Sequence, residues 1–211
     1  MSLWIFDLDG TLVDTSGEIV NTVNRFLGER GREAMDHGSV MQHVGYGTPH
    51  LMARVLGLAL DDPAIPEATS RFVQMYASAP ALHARTYPGV HETLEALRPT
   101  STLAVVSNKA GPLVRATLEA FDLARRFTIV LGGGEFGALK PAADGILLVM
   151  GKSGTAPEET TMVGDMPLDM AAGRNAGVRT LFAAYGFGAL EPGDPVPDGT
   201  LESFPEVIEW T

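Results

Sequence analysis

Short apolar segments alternate with polar or glycine-containing turns along most of the chain. Five of them have the length and composition of strands buried in a parallel sheet: residues 3–6, 103–106, 128–131, 160–163 and 180–184. Amphipathic stretches that fit crossover helices separate the last four, at residues 112–121, 143–152 and 168–176. The Pro-, Gly- and Asp-rich tail, 191–199, is predicted to be a surface loop before a short helix that ends at Trp210. The alternation predicts an α/β fold with a parallel sheet.

The interval between the first two predicted strands breaks this alternation. Residues 16–87 contain no clear strand and are too long for a simple connection. Ile19, Val23 and Phe26 keep helical spacing, so we predict an inserted cap of about four helices. The predicted domains are an α-helical cap at 16–87 and an α/β core formed by 1–15 and 88–211.

The composition narrows the class of protein. With 15 basic and 26 acidic side chains, the formal charge is −11 and the pI about 4.8, which argues against nucleic-acid binding. Hydrophobic residues make up 45% of the chain, enough for a core, but no run approaches the ~18 apolar residues that predict a membrane span. The absence of cysteine excludes disulfides and thiolate chemistry, and the start of the chain does not have the pattern of a secretion signal. We therefore expect a cytoplasmic protein.

Polar side chains follow four of the predicted strands where each strand ends. The segments are Asp7-Leu8-Asp9-Gly10-Thr11, Ser107-Asn108-Lys109, Lys140-Pro141 and Gly164-Asp165-Met166-Pro167-Leu168-Asp169. Ligands bind at the carboxyl ends of the strands in an open parallel sheet, so this edge is where a site is expected. Each segment alone also fits a turn or a helix cap. Their occurrence at four strand ends of one sheet favours a functional site.

A cluster of aspartates at this edge requires positive charge. Burying Asp7, Asp9 and Asp165 together without a counter-charge would cost several kcal/mol. Carboxylate oxygens without His or Cys select Mg²⁺. Lys140 and the Ser107 hydroxyl supply what a phosphate group needs, a positive charge and a neutral donor.

In this order, the four segments resemble those of the haloacid dehalogenase superfamily, in its phosphoglycolate-phosphatase-like branch with a helical cap. The resemblance spans residues 3 to about 187. It implies a Rossmann-like parallel sheet with a strand order resembling 5-4-1-2-3, and a Mg²⁺-dependent phosphatase that acts through a phosphorylated aspartate. The implied substrate is a small phosphorylated metabolite similar to phosphoglycolate.

The resemblance also implies a role for individual residues. Asp7 would be the nucleophile, and Asp9 the acid that protonates the leaving group and then the base that activates water. Mg²⁺ would bind the Asp7 carboxylate, the Asp9 backbone carbonyl and Asp165, with Asp169 behind them as an acceptor for Lys140 or for water on the metal. The predicted phosphate-binding residues are Gly10, Thr11, Ser107, Asn108 and Lys140.

Substrate choice is expected to come from the cap. Tyr46, His50 and Arg54 follow a glycine-containing loop and are candidates for contacts to the leaving group, with Arg54 suited to a carboxylate. The alternative is that His50 and Arg54 lie on a solvated helix face while Tyr46 packs near the hinge.

The same residues are also compatible with other functions. A phosphosugar mutase uses both acids, and inorganic pyrophosphate is another candidate substrate. A haloacid dehalogenase is disfavoured because that branch lacks the second acid, here Asp9. A non-catalytic phosphate-binding module is the alternative from another class, since the fold alone does not exclude it. The pattern predicts no nucleic-acid or membrane partner and carries no signal for the oligomeric state.

Overall fold

The computed structural model describes all residues, 1–211, as an α/β sheet with four helices inserted after its first strand. The elements in chain order are β1 (Ser2–Phe6), β2 (Val13–Asp14), α1 (Ser16–Gly28), α2 (His37–Met41), α3 (Thr48–Leu56), α4 (Ile65–Ala77), β3 (Arg85–Thr86), α5 (Val90–Leu97), β4 (Ser101–Ala110), α6 (Gly111–Ala120), β5 (Ile129–Gly133), α7 (Asp144–Ser153), β6 (Thr160–Gly164), α8 (Pro167–Ala176), β7 (Arg179–Ala183), β8 (Gly199–Leu201) and a 3₁₀ segment at Phe204–Trp210.

Six parallel strands form the main sheet in the order β5-β4-β1-β6-β7-β8. The five strands predicted from the sequence are all present, and their order is the predicted one. The α/β fold class is therefore confirmed. None of the helices combines the length and apolarity that crossing a bilayer requires.

Alternating side chains of the central strand cover opposite faces of the sheet. Trp4 and Phe6 pack in a core cluster with α5, α6 and the terminal 3₁₀ segment. Leu3 and Ile5 pack in another with α7 and α8. Both faces are covered, which explains why the strands have nearly continuous apolar sequences.

The register of the central strands determines where the polar segments emerge. Phe6 of β1 is paired with Val105 of β4 and Val163 of β6. The residues that follow, including Asp7 and Asp165, therefore lie at one edge of the sheet.

Three strand predictions need correction. The second strand does not end at residue 106: β4 continues to Ala110, with an irregular register after Val106, so the polar Ser107-Asn108-Lys109 segment lies within the strand. Residues 191–198 form the predicted loop, but its last residue, Gly199, begins β8, which pairs with β7 at Leu181. The two chain connections to the inserted helices pair with each other as β2 and β3. These short or polar strands depend on distant partners and leave no periodic signal in the sequence.

Helices α1 to α4 enclose an apolar cluster of their own. Val23, Phe26, Met52 and Tyr76 are fully buried in it, and Leu113 of α6 joins it from the main body of the fold. The four helices agree with the predicted number, and they cover the edge of the sheet where the polar segments emerge. The division into domains at residues 16 and 87 remains a prediction.

Candidate active site

Lys140 is buried at the edge of the sheet between two aspartates. Its Nζ lies 3.0 Å from Asp7 Oδ2 and 2.6 Å from Asp169 Oδ1. It also donates a hydrogen bond to the carbonyl oxygen of Val106 at 3.0 Å. Three oxygen atoms thus lie within 3.0 Å of this ammonium, which restricts the position of the end of the side chain.

Asp165 lies beside this pair and is fully buried. Its Oδ1 accepts a hydrogen bond from Thr11 Oγ1 at 3.0 Å, and its Oδ2 accepts one from the Phe187 amide at 2.8 Å. Gly10 has a φ of +78°, and a Cβ at this position would lie 2.1 Å from Asp165 Oδ2. The Asp7-to-Thr11 turn therefore needs glycine both for its conformation and for the close approach of Asp165.

Carboxylates of Asp7, Asp165 and Asp169 form a compact oxygen cluster, with one oxygen of each within 4.8 Å of the others. Burial, then the charges of Asp169 and Asp7, raises the pKa of Asp165 well above its ordinary value. Burial also raises the pKa of Asp169 to about 6, although Lys140 opposes the shift. Burial lowers the pKa of Lys140, but Asp169 and Asp7 outweigh that effect and raise it. One ammonium does not balance three carboxylates, so the cluster fits a divalent cation.

Asp9 points away from this cluster. Its Oδ1 accepts a hydrogen bond from Thr15 Oγ1 at 2.6 Å and one from Lys109 Nζ at 2.8 Å. The Lys109 ammonium also donates to the Tyr76 hydroxyl at 2.9 Å. The sequence indicated Lys109 only as part of the Ser107-Asn108-Lys109 segment and gave no indication that Tyr76 belongs to the site. A predicted strand that continued past Val106 would have indicated that Lys109 lies at the same edge of the sheet as Ser107.

The structure gives Asn108 a different task from the predicted contact with phosphate. Its Nδ2 donates to the carbonyl oxygens of Lys140 and Gly45, both at 2.9 Å, and its Oδ1 accepts from the Lys140 amide at 2.8 Å. No donor of this amide is left for a ligand, so Asn108 fixes the backbone of Lys140 instead. Ser107 accepts only a 3.4 Å bond from the Lys109 amide, which leaves its hydroxyl hydrogen available.

Gly10 and Thr11 were also predicted to bind phosphate, but their hydrogen-bond donors have partners within the protein. The amide of Gly10 donates to the carbonyl oxygen of Val13 at 2.9 Å, and that of Thr11 donates to Leu8 at 3.3 Å. The Thr11 hydroxyl is directed at Asp165. In this structure both residues shape the loop that carries Asp7 rather than offer donors to a ligand.

A cavity of about 280 Å³ separates the inserted helices from the edge of the sheet. Asp7, Asp9, Ser107 and Lys109 line one side of it. The cap side is largely apolar, with contributions from Ile19, Val44, Leu51 and Phe72. Lys140, Asp165 and Asp169 lie behind Asp7 and do not line the cavity.

The three cap residues predicted to contact the substrate are not all at this cavity. Tyr46 lines it, and its ring lies 5.2 Å from that of His50. His50 and Arg54 do not line it: on α3, Arg54 Nε donates to His50 Nε2 at 3.0 Å, and Arg54 is exposed. Burial, then the charge of Arg54, lowers the pKa of His50.

A parallel α/β sheet with a buried aspartate–lysine cluster that reaches a capped cavity through Asp7 suits the hydrolysis of phosphorylated compounds. The family model described as haloacid dehalogenase-like hydrolase matches residues 4–183. The chain belongs to this family, as the resemblance implied, and the prediction of a phosphatase is confirmed at this level.

Individual relatives agree with the family. The chain is 33% identical over 210 residues to a phosphoglycolate phosphatase of Aquifex aeolicus, covering 99% of this chain and 96% of the relative. It is 34% identical to that of Agrobacterium fabrum over 208 residues, covering 96% and 88% of the two chains. Among solved structures, a "predicted phosphoglycolate phosphatase" from Haemophilus somnus matches with a TM-score of 0.90 and 28% identity, covering 100% of this chain and 97% of that one.

Proposed function

We propose that this phosphatase hydrolyses a small phosphomonoester similar to phosphoglycolate, with Asp7 as the nucleophile and Mg²⁺ as the cofactor. The observation that carries the proposal is the position of Asp7. Its carboxylate belongs to the buried cluster with Lys140 and also lines the cavity, while Asp9 lies on the same wall. The names of the relatives support phosphoglycolate as the first substrate to test.

In the first half-reaction, an Asp7 oxygen attacks phosphorus as the bond from phosphorus to the ester oxygen breaks. Lys140 offsets negative charge beside the nucleophile, and the free hydroxyl hydrogen of Ser107 can bind a phosphoryl oxygen. Because Ser107 and Asp7 both line the cavity, a phosphoryl group at Asp7 can reach that hydroxyl. The product of this step is a phosphorylated Asp7 and an alkoxide that needs a proton.

We assign the transfer of that proton to Asp9. Its described hydrogen bonds both go to Oδ1, so Oδ2 remains for a proton directed at the leaving oxygen. In the second half-reaction the same carboxylate accepts a proton from water as the water attacks phosphorus, which releases phosphate and restores Asp7. The protons balance over the two steps.

The residues present fit a magnesium ion. Asp7 and Asp165 would hold it, together with the backbone carbonyl oxygen of Asp9, and Asp169 would remain with Lys140. The fit rests on the three buried carboxylates and on the raised pKa values of Asp165 and Asp169, which reflect negative charge that one lysine does not balance. When bound, Mg²⁺ supplies positive charge that stabilises the phosphoryl oxygens during transfer.

A phosphate-release assay over small phosphomonoesters tests the proposal. The panel contains phosphoglycolate, p-nitrophenyl phosphate, pyrophosphate and a β-phosphosugar, each with Mg²⁺ and with EDTA. We expect Mg²⁺-dependent release that is greatest with phosphoglycolate and is abolished in Asp7→Asn, while the circular dichroism spectrum of that variant matches the wild type. Isomerisation of the phosphosugar faster than phosphate release would instead indicate a mutase. Activity of Asp7→Asn near that of the wild type would exclude Asp7 as the nucleophile.

A further inference from the structure

The chain contains only three lysines, and two of them are buried at the candidate active site. The Lys140 ammonium has three protein oxygens within 3.0 Å. Lys109 differs, because its ammonium has two described partners, Asp9 Oδ1 and the Tyr76 hydroxyl. An ammonium carries three donors, so one N–H group of Lys109 remains for a ligand.

Lys109 is also the only lysine or arginine that lines the cavity. The wall beyond it is apolar and includes Leu51, Phe72 and Leu113. His43 lies on the same wall, but burial, then the charge of Arg54, lowers its pKa. In a chain with a net charge of −11, this ammonium is the positive charge that the leaving group of a substrate would meet.

We propose that Lys109 is a specificity-determining residue that binds a carboxylate on the leaving group. This inference rests on the proposed function and deepens it. The favoured substrates are phosphorylated short hydroxy acids in which one carbon separates the ester oxygen from the carboxylate. The cap side of the cavity is largely apolar and offers few polar side chains to the hydroxyl groups of a sugar, whereas a buried ammonium with a free donor favours an anion.

The short distance between Lys109 and Asp9 favours a short leaving group. Asp9 must contact the ester oxygen to transfer a proton, and Lys109 Nζ lies 2.8 Å from Asp9 Oδ1. A charge-assisted bond of about 2.7–2.9 Å at each group lets both groups contact the same short leaving group. One carbon between the ester oxygen and the carboxylate is the shortest such leaving group, and each further carbon adds rotatable bonds that must be ordered on binding.

Tyr76 holds the ammonium at this point. It is fully buried on α4, its hydroxyl accepts from Lys109, and its ring centroid lies 4.2 Å from Nζ. A cation over an aromatic face is stabilised where water is excluded. The inserted helices thus contribute to selectivity through Tyr76, although the cation itself comes from β4.

The test compares kcat/KM for phosphoglycolate with that for ethyl phosphate, which has a similar leaving group without the carboxylate. We expect the wild type to prefer phosphoglycolate. In Lys109→Met the ratio of the two values should fall by roughly 10- to 100-fold, the effect of losing one charge-assisted hydrogen bond. The matched control is Lys152→Met on the exposed side of α7, which should keep the wild-type ratio.

A change in the ratio separates substrate binding from a general effect on Asp9. If Lys109 only positioned Asp9, both substrates would lose activity equally in Lys109→Met and the ratio would stay constant, which overturns the inference but leaves the proposed function intact. If the wild type released phosphate from neither substrate, the proposed function would fail and this inference with it.

Two further measurements do not depend on the folding of Lys109→Met. Tyr76→Phe keeps the ring and removes the hydroxyl, and it should lower the same ratio by a smaller factor. The wild type should also prefer phosphoglycolate to 3-phosphooxypropanoate, whose carboxylate is one carbon further away. Equal kcat/KM values for these two acids would contradict the length argument.

Discussion

Asp169 makes the stability of the metal-free protein depend on pH in an unusual direction. Its pKa is about 6 in the folded protein, against an ordinary value of 3.8, chiefly because of burial. The folded state therefore holds this proton more tightly than the unfolded chain does. Between pH 4 and 6 the unfolded state releases the proton first, so the free energy of unfolding falls as pH rises. The difference between the two values corresponds to a loss on the order of 3 kcal/mol.

The comparison of wild type with Asp169→Asn isolates this contribution. Asparagine has a similar shape but does not titrate, so the difference in free energy of unfolding between the two proteins should change by about 1.4 kcal/mol per pH unit across the window and level off above pH 6. The histidines are common to both proteins and cancel. Asp169 also raises the pKa of Asp165, which acts in the same direction.

Urea unfolding followed by circular dichroism, in EDTA and at pH steps from 4 to 8, provides the measurement. Low protein concentrations are needed because the pI is about 4.8. A difference curve that is flat, or that favours the wild type as pH rises, would refute the reasoning, since it would mean that burial and neighbouring carboxylates do not dominate at Asp169.

Three substitutions test other parts of the cluster. Lys140→Met should lower the free energy of unfolding by about 3–5 kcal/mol in urea titrations, because it leaves buried carboxylates without their counter-charge. The control, Lys152→Met at an exposed position, should change it by less than about 0.5 kcal/mol. A loss below about 1 kcal/mol at position 140 would argue against ionised carboxylates there. Gly10→Ala puts a side chain at a φ of +78° and brings its Cβ into collision with Asp165. We expect the free energy of unfolding to fall by about 2–4 kcal/mol and phosphatase activity to be lost. Activity near that of the wild type would contradict this expectation. Asn108→Ala removes three hydrogen bonds that fix the backbone of Lys140 and Gly45. The melting temperature and the kcat of this variant should therefore both fall. An unchanged kcat would show that Lys140 does not need this support.

Much of the fold could be predicted because its strands are local apolar segments. The runs that include Phe6 and Val163 are recognisable without knowledge of their neighbours, and a parallel α/β sheet needs only their alternation with helices. The exceptions share one property. β8 and the polar half of β4 are strands because of hydrogen bonds to distant residues, so the local pattern did not predict the first and ended the second too early.

In the candidate site, too, the sequence identified some features and missed others that depend on distant residues. Asp7, Asp165 and Lys140 follow apolar runs, and the edge at which such runs end is a property of any parallel sheet. Asn108 was identified at this edge, but its task was not, because its amide is paired with backbone atoms of Lys140 and Gly45 that are remote in sequence.

The amino-acid sequence by itself determined the α/β class, the inserted helices and the group of acids with one lysine, because strand propensity and the positions of strand ends are local properties. Only the tertiary structure decided that Lys109 pairs with Asp9, that Tyr76 of α4 holds this lysine, and that His50 and Arg54 lie off the cavity. Those relations depend on how four helices dock on the edge of a sheet, and docking is decided by packing between residues far apart in the chain, which no local periodicity records.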